Sequence, residues 1–293
     1  MKKVFFICDE SEAKGYSDNR EKYPREIGVV AGFVVPEEHL EKMRSDLDTI
    51  SSQYLAEKKL HVTDLSPNNQ ESLREEIFTY LKRKKIPCLY EAIHSEGFYL
   101  QYESTNELKR KSYEQRRSKI KMSKNQTKKL LHEELFRGAF GKAVTLCDYI
   151  SGKFHLAVIT DTVDESIKKK FVTAANELLS YGKSGAVKTV TGFNQDKNEI
   201  VRRQITSKIK DPANLLGDFS RIEFSIECED SSLTLAAHFI ANSLPYHFKC
   251  RDGKSIGNKL NSKKEIKGHP LECLFYGLDS NYFADAFFMH PKY

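Results

Sequence analysis

The sequence predicts an α/β fold with a sheet of mixed strand direction, flanked by helices. Three observations predict it: two strand-like segments open the chain and can pair as a hairpin, strands and amphipathic helices alternate after them, and the chain has 293 residues. Apolar residues form 39% of the chain and charged residues 30%, as expected for a globular protein with a well-charged surface. We therefore expect a single domain over residues 1–293, with its parallel strands joined by β-α-β crossovers.

Five segments rich in β-branched and aromatic residues predict the strands of this sheet. They cover residues 3–9, 27–35, 87–95, 154–161 and 221–229. The last segment alternates strictly between polar and apolar residues, which is typical of a strand with one buried face.

Apolar residues recur at spacings of three and four between the strands, which predicts amphipathic helices. The helices are expected over residues 36–54, 67–84, 130–150, 164–179 and 231–244. Two stretches fit neither pattern, the basic residues 103–129 and the Gly/Lys/Asn-rich residues 249–268, and we predict them to be insertions.

The composition argues against membrane insertion and export. The longest apolar run, residues 27–35, has nine residues where a spanning helix needs about 20, and the five apolar residues after Lys3 are too few for a signal peptide. The six cysteines lie at least 22 residues apart, which excludes Cys-x-x-Cys patterns and a dense disulfide framework. We expect a cytoplasmic protein with reduced thiols and no membrane association.

The positive charge is concentrated in one segment. Residues 109–129 carry ten Lys and Arg and one Glu, a net charge of +9, whereas the chain as a whole has +6, so the other 272 residues sum to −3. Such a segment predicts a negatively charged partner, here nucleic acid, although a solvated helix face or loop has the same composition. The expected nucleic-acid-binding residues are Lys109, Arg110, Lys111, Arg116, Arg117, Lys119 and Lys121.

Acidic residues close three of the predicted strands, which is where open α/β sheets bind ligands. Asp9 ends the first strand, Asp161 the fourth, and Glu227 and Glu229 the fifth. Converging carboxylates repel one another unless a cation lies between them, so this set predicts Mg²⁺ or Mn²⁺ bound by Asp9 and Asp161, with Glu227 or Glu229 completing the site. Acids also follow strands simply as turn formers and helix caps, which is the alternative.

The alternation of the first strand separates its two terminal acids. Asp9 shares a face with Phe5 and Ile7, and Glu10 shares the other face with Cys8. Only one of the two acids is therefore expected to face a given site.

Four short stretches resemble an uncharacterised bacterial family with an N-terminal Asp-Glu-Ser signature and a predicted RNase H-like fold. They are Asp9-Glu10-Ser11, GVVAGFVVP at 28–36, KLHVTDL at 59–65 and LTLAAHFIANSL at 233–244. The resemblance implies an RNase H-like sheet, a nuclease-like site with two metal ions, a role in phage defence, Asp9 as the first acid and Asp161 as a later one. The final helix of the family reads Leu-x-Leu-Ala-Asp, and here Ala237 stands at the position of the acid.

The histidines give a weaker prediction. His61 and Asp64 in KLHVTDL are candidate catalytic residues that bind a phosphate or orient a water, or else they fill a loop and cap the next helix. On the last predicted helix, His238 lies with Thr234 and Asn242, whereas Ala237 lies on the apolar stripe that we expect to pack on the sheet and reach the metal site.

Two functions are compatible with these observations. The first is a metal-dependent nuclease that cleaves RNA or DNA with Asp9, Asp161, His61 and Asp64 in its site. The alternative is a catalytically degenerate RNase H-like module that binds nucleic acid or a partner protein in a multi-subunit defence complex, which the absence of an acid at Ala237 favours.

Overall fold

The computed structural model describes residues 1–12, 23, 26–54, 62, 65–115, 120–122, 131–151, 153–183, 186–194, 197–207, 221–250 and 262–276. Its strands are β1 (Lys2–Ser11), β2 (Ile27–Pro36), β3 (Cys88–His94), β4 (Ile120–Met122), β5 (Phe154–Thr160), β6 (Ala186–Asn194), β7 (Glu199–Ser207) and β8 (Ile222–Cys228). Its helices are α1 (Glu37–Ser51), α2 (Pro67–Lys84), α3 (Ser95–Gln115), α4 (Leu131–Ser151), α5 (Glu165–Lys183), α6 (Ser232–Lys249) and α7 (Ser262–Glu265).

Five strands form the central sheet in the order β3-β2-β1-β5-β8. The pairs β1/β2 and β2/β3 are antiparallel, whereas β1/β5 and β5/β8 are parallel. The initial hairpin therefore supplies the antiparallel half, and crossovers through helices supply the parallel half. This mixed sheet flanked by helices confirms the predicted α/β class and is consistent with an RNase H-like fold.

Helices cover both faces of the sheet. One hydrophobic core joins one face of β1, β2 and β5 to α1, α2 and α6, and a second core joins the opposite face to α4 and α5. The strands in the middle of the sheet are buried on both sides, which explains why β2 is apolar over nine consecutive residues.

Helix α6 is the element of the first core that matters most for the site. A reciprocal capping box fixes its start: Ser231 Oγ accepts from the Thr234 N–H at 3.4 Å, and the Ser231 N–H donates to Thr234 Oγ1 at 3.0 Å. The helix continues through Pro245 to Lys249, five residues beyond its predicted end. This extension carries one helix from the end of β1 to a groove beside α2.

A second sheet of three strands, in the order β4-β6-β7, was missed by the sequence prediction. The turn between β6 and β7 contains Asn198 in the left-handed backbone region, with φ 51°, a conformation that asparagine tolerates better than most residues. Within the predicted insertion 103–129, α3 continues to Gln115 and residues 120–122 form β4. Of the other predicted insertion, residues 251–261 lie outside the described part of the chain.

Among the helices in the described ranges, none combines the length and the apolar character needed to cross a membrane.

Candidate active site

The candidate site lies where three parallel strands end side by side. The last paired residues of β1, β5 and β8 are Cys8, Thr160 and Cys228, which stand in one row across the sheet. Asp9 and Asp161 follow the first two of these residues. Neighbouring strands lie about 4.8 Å apart, so the two acids follow adjacent positions of the row, and the charge of Asp9 acts on Asp161.

The two terminal acids of β1 point to opposite faces, as their alternation predicts. Asp9 follows the face of Phe5 and Ile7, which packs in the core with α6. Glu10 follows the face of Cys8, which packs in the core with α4, and its Oε1 lies 3.7 Å from His132 Nε2 on that helix. The α6 side of the sheet therefore holds Asp9, and Glu10 stands behind it.

His238 of α6 is the closest partner of Asp9. Its Nδ1 lies 2.7 Å from Asp9 Oδ2, and the His238 side chain is 37% exposed while that of Asp9 is 8% exposed. The hydrogen bond to Asp9 raises the pKa of His238, an effect that burial opposes and that the charges of Asp9 and Asp161 reinforce. The protonated Nδ1 thus donates to Asp9, and Nε2 is the ring atom left for a substrate or water.

The sequence analysis placed His238 on a polar stripe but gave it no role, and this needs correction. The stripe of Thr234, His238 and Asn242 is the polar side of an otherwise largely buried helix, and Asn242 Oδ1 accepts from Ser11 Oγ at 3.5 Å. Ala237 lies on the stripe that packs on the sheet, as expected, where it is fully buried in the hydrophobic core, and the next residue, His238, is the one that contacts Asp9.

Negative charge accumulates around Asp9. Burial, followed by the charges of Asp9 and Asp161, raises the pKa of Glu10 to about 7. Burial also raises the pKa of Asp161, with contributions from Asp9 and Asp230, although the Thr162 N–H, which donates to Asp161 Oδ1 at 2.6 Å, and His238 act against it. In both groups burial is the first cause of the raised pKa, and the neighbouring carboxylates add to it.

Glu229 does not belong to this group of uncompensated acids. Both of its carboxylate oxygens accept from the Arg44 guanidinium of α1, with Nη2 3.2 Å from Oε2, and this hydrogen bonding lowers the pKa of Glu229. Its expected role as a metal ligand therefore needs correction, since a guanidinium already neutralises it. Glu227 lies on the edge strand β8, opposite Ile159 of β5, and is exposed. The acid near the end of β8 whose charge acts on Asp161 is Asp230.

The other predicted site residues are only partly described. Lys109, Arg110 and Lys111 lie in α3, and Lys111 Nζ is 2.8 Å from Glu107 Oε1 with 58% of its side chain exposed. Lys121 lies in β4. The remaining ones lie outside the described residues: His61, Asp64, Arg116, Arg117 and Lys119.

Asp9 and Asp161 suit a divalent ion that is held by two carboxylates and waters, rather than one enclosed by protein ligands alone. Within the described ranges, no group of three or more His, Cys, Asp and Glu side chains is arranged to hold a metal ion. Mg²⁺ does not need such a group, because it commonly keeps several waters and is held by one or two carboxylates together with substrate phosphates. Asp9 and Asp161 are two such carboxylates, and the charge of Asp230 acts on Asp161 as well.

Comparison with known proteins gives no relative: no family model, no curated protein and no solved structure matches the chain.

The raised pKa of Glu10 predicts a pH dependence of stability. Between about pH 4.5 and 7 the folded chain keeps the Glu10 proton that the unfolded chain has lost, so rising pH favours unfolding. Glu10→Gln removes this effect, and the stability of the variant relative to the original chain should rise with pH by up to about 3 kcal/mol across this window. Urea denaturation at pH 5, 6 and 7 measures the difference.

The exposed Glu38 of α1 supplies the control substitution, Glu38→Gln, because it makes the same change of side chain outside the group of Asp9, Glu10 and Asp161. His132 acts in the opposite direction, since burial lowers its pKa to about 4, but it is present in every chain compared and does not produce the difference. If the difference in stability between Glu10→Gln and the original chain did not change with pH, the raised pKa of Glu10 would be contradicted.

Proposed function

We propose that the chain is a divalent-metal-dependent nuclease that hydrolyses phosphodiester bonds of RNA or DNA. The observation that carries this proposal is the placement of Asp9 and Asp161 after adjacent parallel strands, with further negative charge from Asp230. A phosphate ligand cannot approach such a group without a cation between them, so the charge arrangement supports metal-assisted chemistry on a phosphodiester.

Asp9 and Asp161 are the residues that would hold Mg²⁺ or Mn²⁺. When bound, the ion would lower the pKa of a water and neutralise charge that develops on the phosphate. Asp9 has one oxygen bonded to His238, which leaves its Oδ1 for the ion, and the Thr162 N–H fixes the orientation of the Asp161 carboxylate.

His238 is the residue of the chain suited to move a proton in this site. Its Nδ1–H is held on Asp9, so in the neutral ring Nε2 carries the lone pair, and the side chain is partly exposed. Nε2 would accept a proton from the attacking water, and Asp9 would stabilise the resulting imidazolium, which is the usual role of a carboxylate behind a histidine base.

The basic segment 109–129 would bind the phosphate backbone. Part of it lies in α3, and β4 joins it to the second sheet by antiparallel pairing with β6, where Lys121 stands opposite Phe193. The segment is therefore connected to regular structure at two points. Lys and Arg contacts to phosphates contribute affinity that depends on salt and carries little sequence specificity.

Removing charge from the basic segment should weaken binding and flatten its salt dependence. Replacing Arg110, Lys111, Arg116 and Arg117 by Ala removes four positive charges, so fewer counterions are released on binding and the slope of log K against log salt falls by up to about 3 to 4. A filter-binding titration across salt concentrations measures the slope, with four exposed lysines outside the segment, Lys2, Lys42, Lys153 and Lys169, replaced by Ala as the control. Unchanged affinity and slope would show that the segment does not bind nucleic acid.

The nuclease itself is tested by cleavage of single-stranded RNA, single-stranded DNA and an RNA–DNA hybrid. We expect Mn²⁺- or Mg²⁺-dependent cleavage of at least one substrate, loss of cleavage with a chelator, and loss in Asp161→Asn. Cleavage that persists in the chelator and in Asp161→Asn would contradict the proposal.

The role in phage defence and a cytoplasmic location belong to the same proposal. The role in phage defence is supported by the family resemblance, and the cytoplasmic location by six free thiols.

One observation favours the second candidate, a binding module without catalysis. The family that the chain resembles has an acid at the position of Ala237, whereas here the next residue, His238, is bonded to Asp9. In the described residues, no group of three or more His, Cys, Asp and Glu side chains is arranged to hold a metal ion. In that case the basic segment would bind nucleic acid without cleaving it, or another surface of the chain would bind a partner protein of a multi-subunit defence complex. Binding of substrate with no Mn²⁺ binding to Asp9 would favour this candidate.

A further inference from the structure

An open groove of about 490 Å³ lies between α2 and α6, on the second half of α6. Helix α2 contributes one face to it, and α6 contributes residues spaced by three and four. The residues that carry the argument are Arg74, Phe78, Lys82, Tyr246, His247 and His269. The groove is separate from the site at Asp9, whose partner on α6 is two turns earlier.

Two cationic side chains and one acidic side chain line the groove. Arg74 and Lys82 line it from α2 against the single acid Glu75 in its lining, and Arg74 Nη2 also lies 3.3 Å from Glu71 Oε1 on the same helix. The pKa of His269 is lowered to about 3, first by burial and then by the positive charges of His247 and Arg74, which shows that positive charge acts on the interior of the groove.

Aromatic rings form another part of the lining. His269 is held as a neutral ring, because its Nδ1 accepts from the Leu271 N–H at 3.0 Å and its Nε2 lies 2.9 Å from Ser243 Oγ. The rings of His247 and Phe78 lie with their centroids 5.2 Å and 6.1 Å from that of His269. Tyr246 stands at the edge with 72% of its surface exposed, and Lys249 Nζ lies 5.8 Å from the centroid of its ring.

The groove is connected to the site at Asp9 along one helix. Asn242 and Tyr246 follow His238 at intervals of four residues, so they form a stripe that turns gradually around α6. At a rise of 1.5 Å per residue, Tyr246 lies about 12 Å along the axis from His238. A strand with the stacked rise of about 3.4 Å per nucleotide covers this distance in three to four nucleotides.

We propose that this groove binds a nucleotide unit of a single-stranded nucleic acid whose phosphodiester, three to four nucleotides away, lies at Asp9 and Asp161. The inference rests on the proposed function and assigns it a strand-binding subsite. Tyr246 offers a ring on which a base stacks, and Arg74 and Lys82 offer positive charge to its phosphate, which is the combination that proteins use to bind single strands.

The test measures binding of oligothymidylates to the full chain with a chelator present, so that no cleavage is needed. Thymidine monophosphate, a dinucleotide and an eight-nucleotide strand are compared by calorimetry for the original chain, Tyr246→Ala, and Arg74→Ala combined with Lys82→Ala. Tyr276→Ala is the matched control, because Tyr276 is also an exposed tyrosine, at 50%, and does not line the groove.

We expect the eight-nucleotide strand to bind more tightly than the dinucleotide, and Tyr246→Ala to weaken its binding about tenfold, which is the effect of losing one stacked base. The double variant should weaken binding and reduce its salt dependence, and Tyr276→Ala should bind as the original chain does. Equal affinity of Tyr246→Ala and the original chain for the long strand would overturn the subsite.

Thymidine monophosphate binding as tightly as the long strand, with the same loss in Tyr246→Ala, would overturn the strand assignment in favour of a free-nucleotide site. Because no step of this test needs metal or hydrolysis, a chain that never cleaves nucleic acid but shows the Tyr246 effect would reject the nuclease and retain the groove.

Discussion

Asp9→Asn is expected to reduce metal-dependent cleavage by about a thousandfold while leaving the chain folded. The substitution keeps the volume of the side chain but removes the charge that would hold the ion, and a bound ion contributes several kcal/mol to transition-state stabilisation. It also weakens the bond to His238 Nδ1, because the amide is a poorer acceptor for an imidazolium than a carboxylate. Single-turnover cleavage with Mn²⁺ measures the loss, and circular dichroism checks the fold.

Glu10→Gln is the matched control for Asp9→Asn. It changes the adjacent residue in the same way, but Glu10 faces α4 and His132 rather than α6. We expect a much smaller loss of cleavage. Equal losses in the two variants would show that the faces of β1 do not divide the two acids between different environments.

Ala237→Asp is expected to lower the free energy of unfolding by several kcal/mol without improving metal binding. The sequence alone left two opposed outcomes, a gain of a ligand or a buried unpaired charge. Ala237 is fully buried in the hydrophobic core, so a carboxylate introduced there would lose its hydration without gaining a counter-charge. Thermal melting alongside a calorimetric Mn²⁺ titration measures both quantities.

His238→Asp is the informative comparison, because it introduces the same side chain one residue later on the polar stripe. There the new carboxylate would stand beside Asp9, where the structure has His238 Nδ1, and we expect Mn²⁺ to bind more tightly than in the original chain. Tighter Mn²⁺ binding in Ala237→Asp than in His238→Asp would contradict the orientation of α6 described above.

The five-stranded sheet was largely predictable because its signals are local. Strict alternation in β8 and the apolar runs of β1, β2 and β5 identify strands, and the same alternation assigns Asp9 and Glu10 to opposite faces. The hairpin β6–β7 was missed although its β-branched residues and the turn at Asn198 carry a signal. Adjacent basic and polar residues obscured that signal.

The contacts of the site were less predictable because they join residues far apart in the chain. Asp9 and His238 are separated by 229 residues, and Arg44 and Glu229 by 185. Helical periodicity places His238 on the polar side of α6, but only the packing of α6 on β1 determines that this side meets the end of that strand. No local pattern indicates that Arg44 neutralises Glu229.

The most direct test of the central claim, that Asp9 and Asp161 share a divalent ion, is a crystal structure of the chain soaked in Mn²⁺ and recorded at the manganese absorption edge. We predict an anomalous peak with one oxygen of Asp9 and one of Asp161 within about 2.5 Å of it. Millimolar Mn²⁺ with no peak between the two carboxylates would contradict the claim.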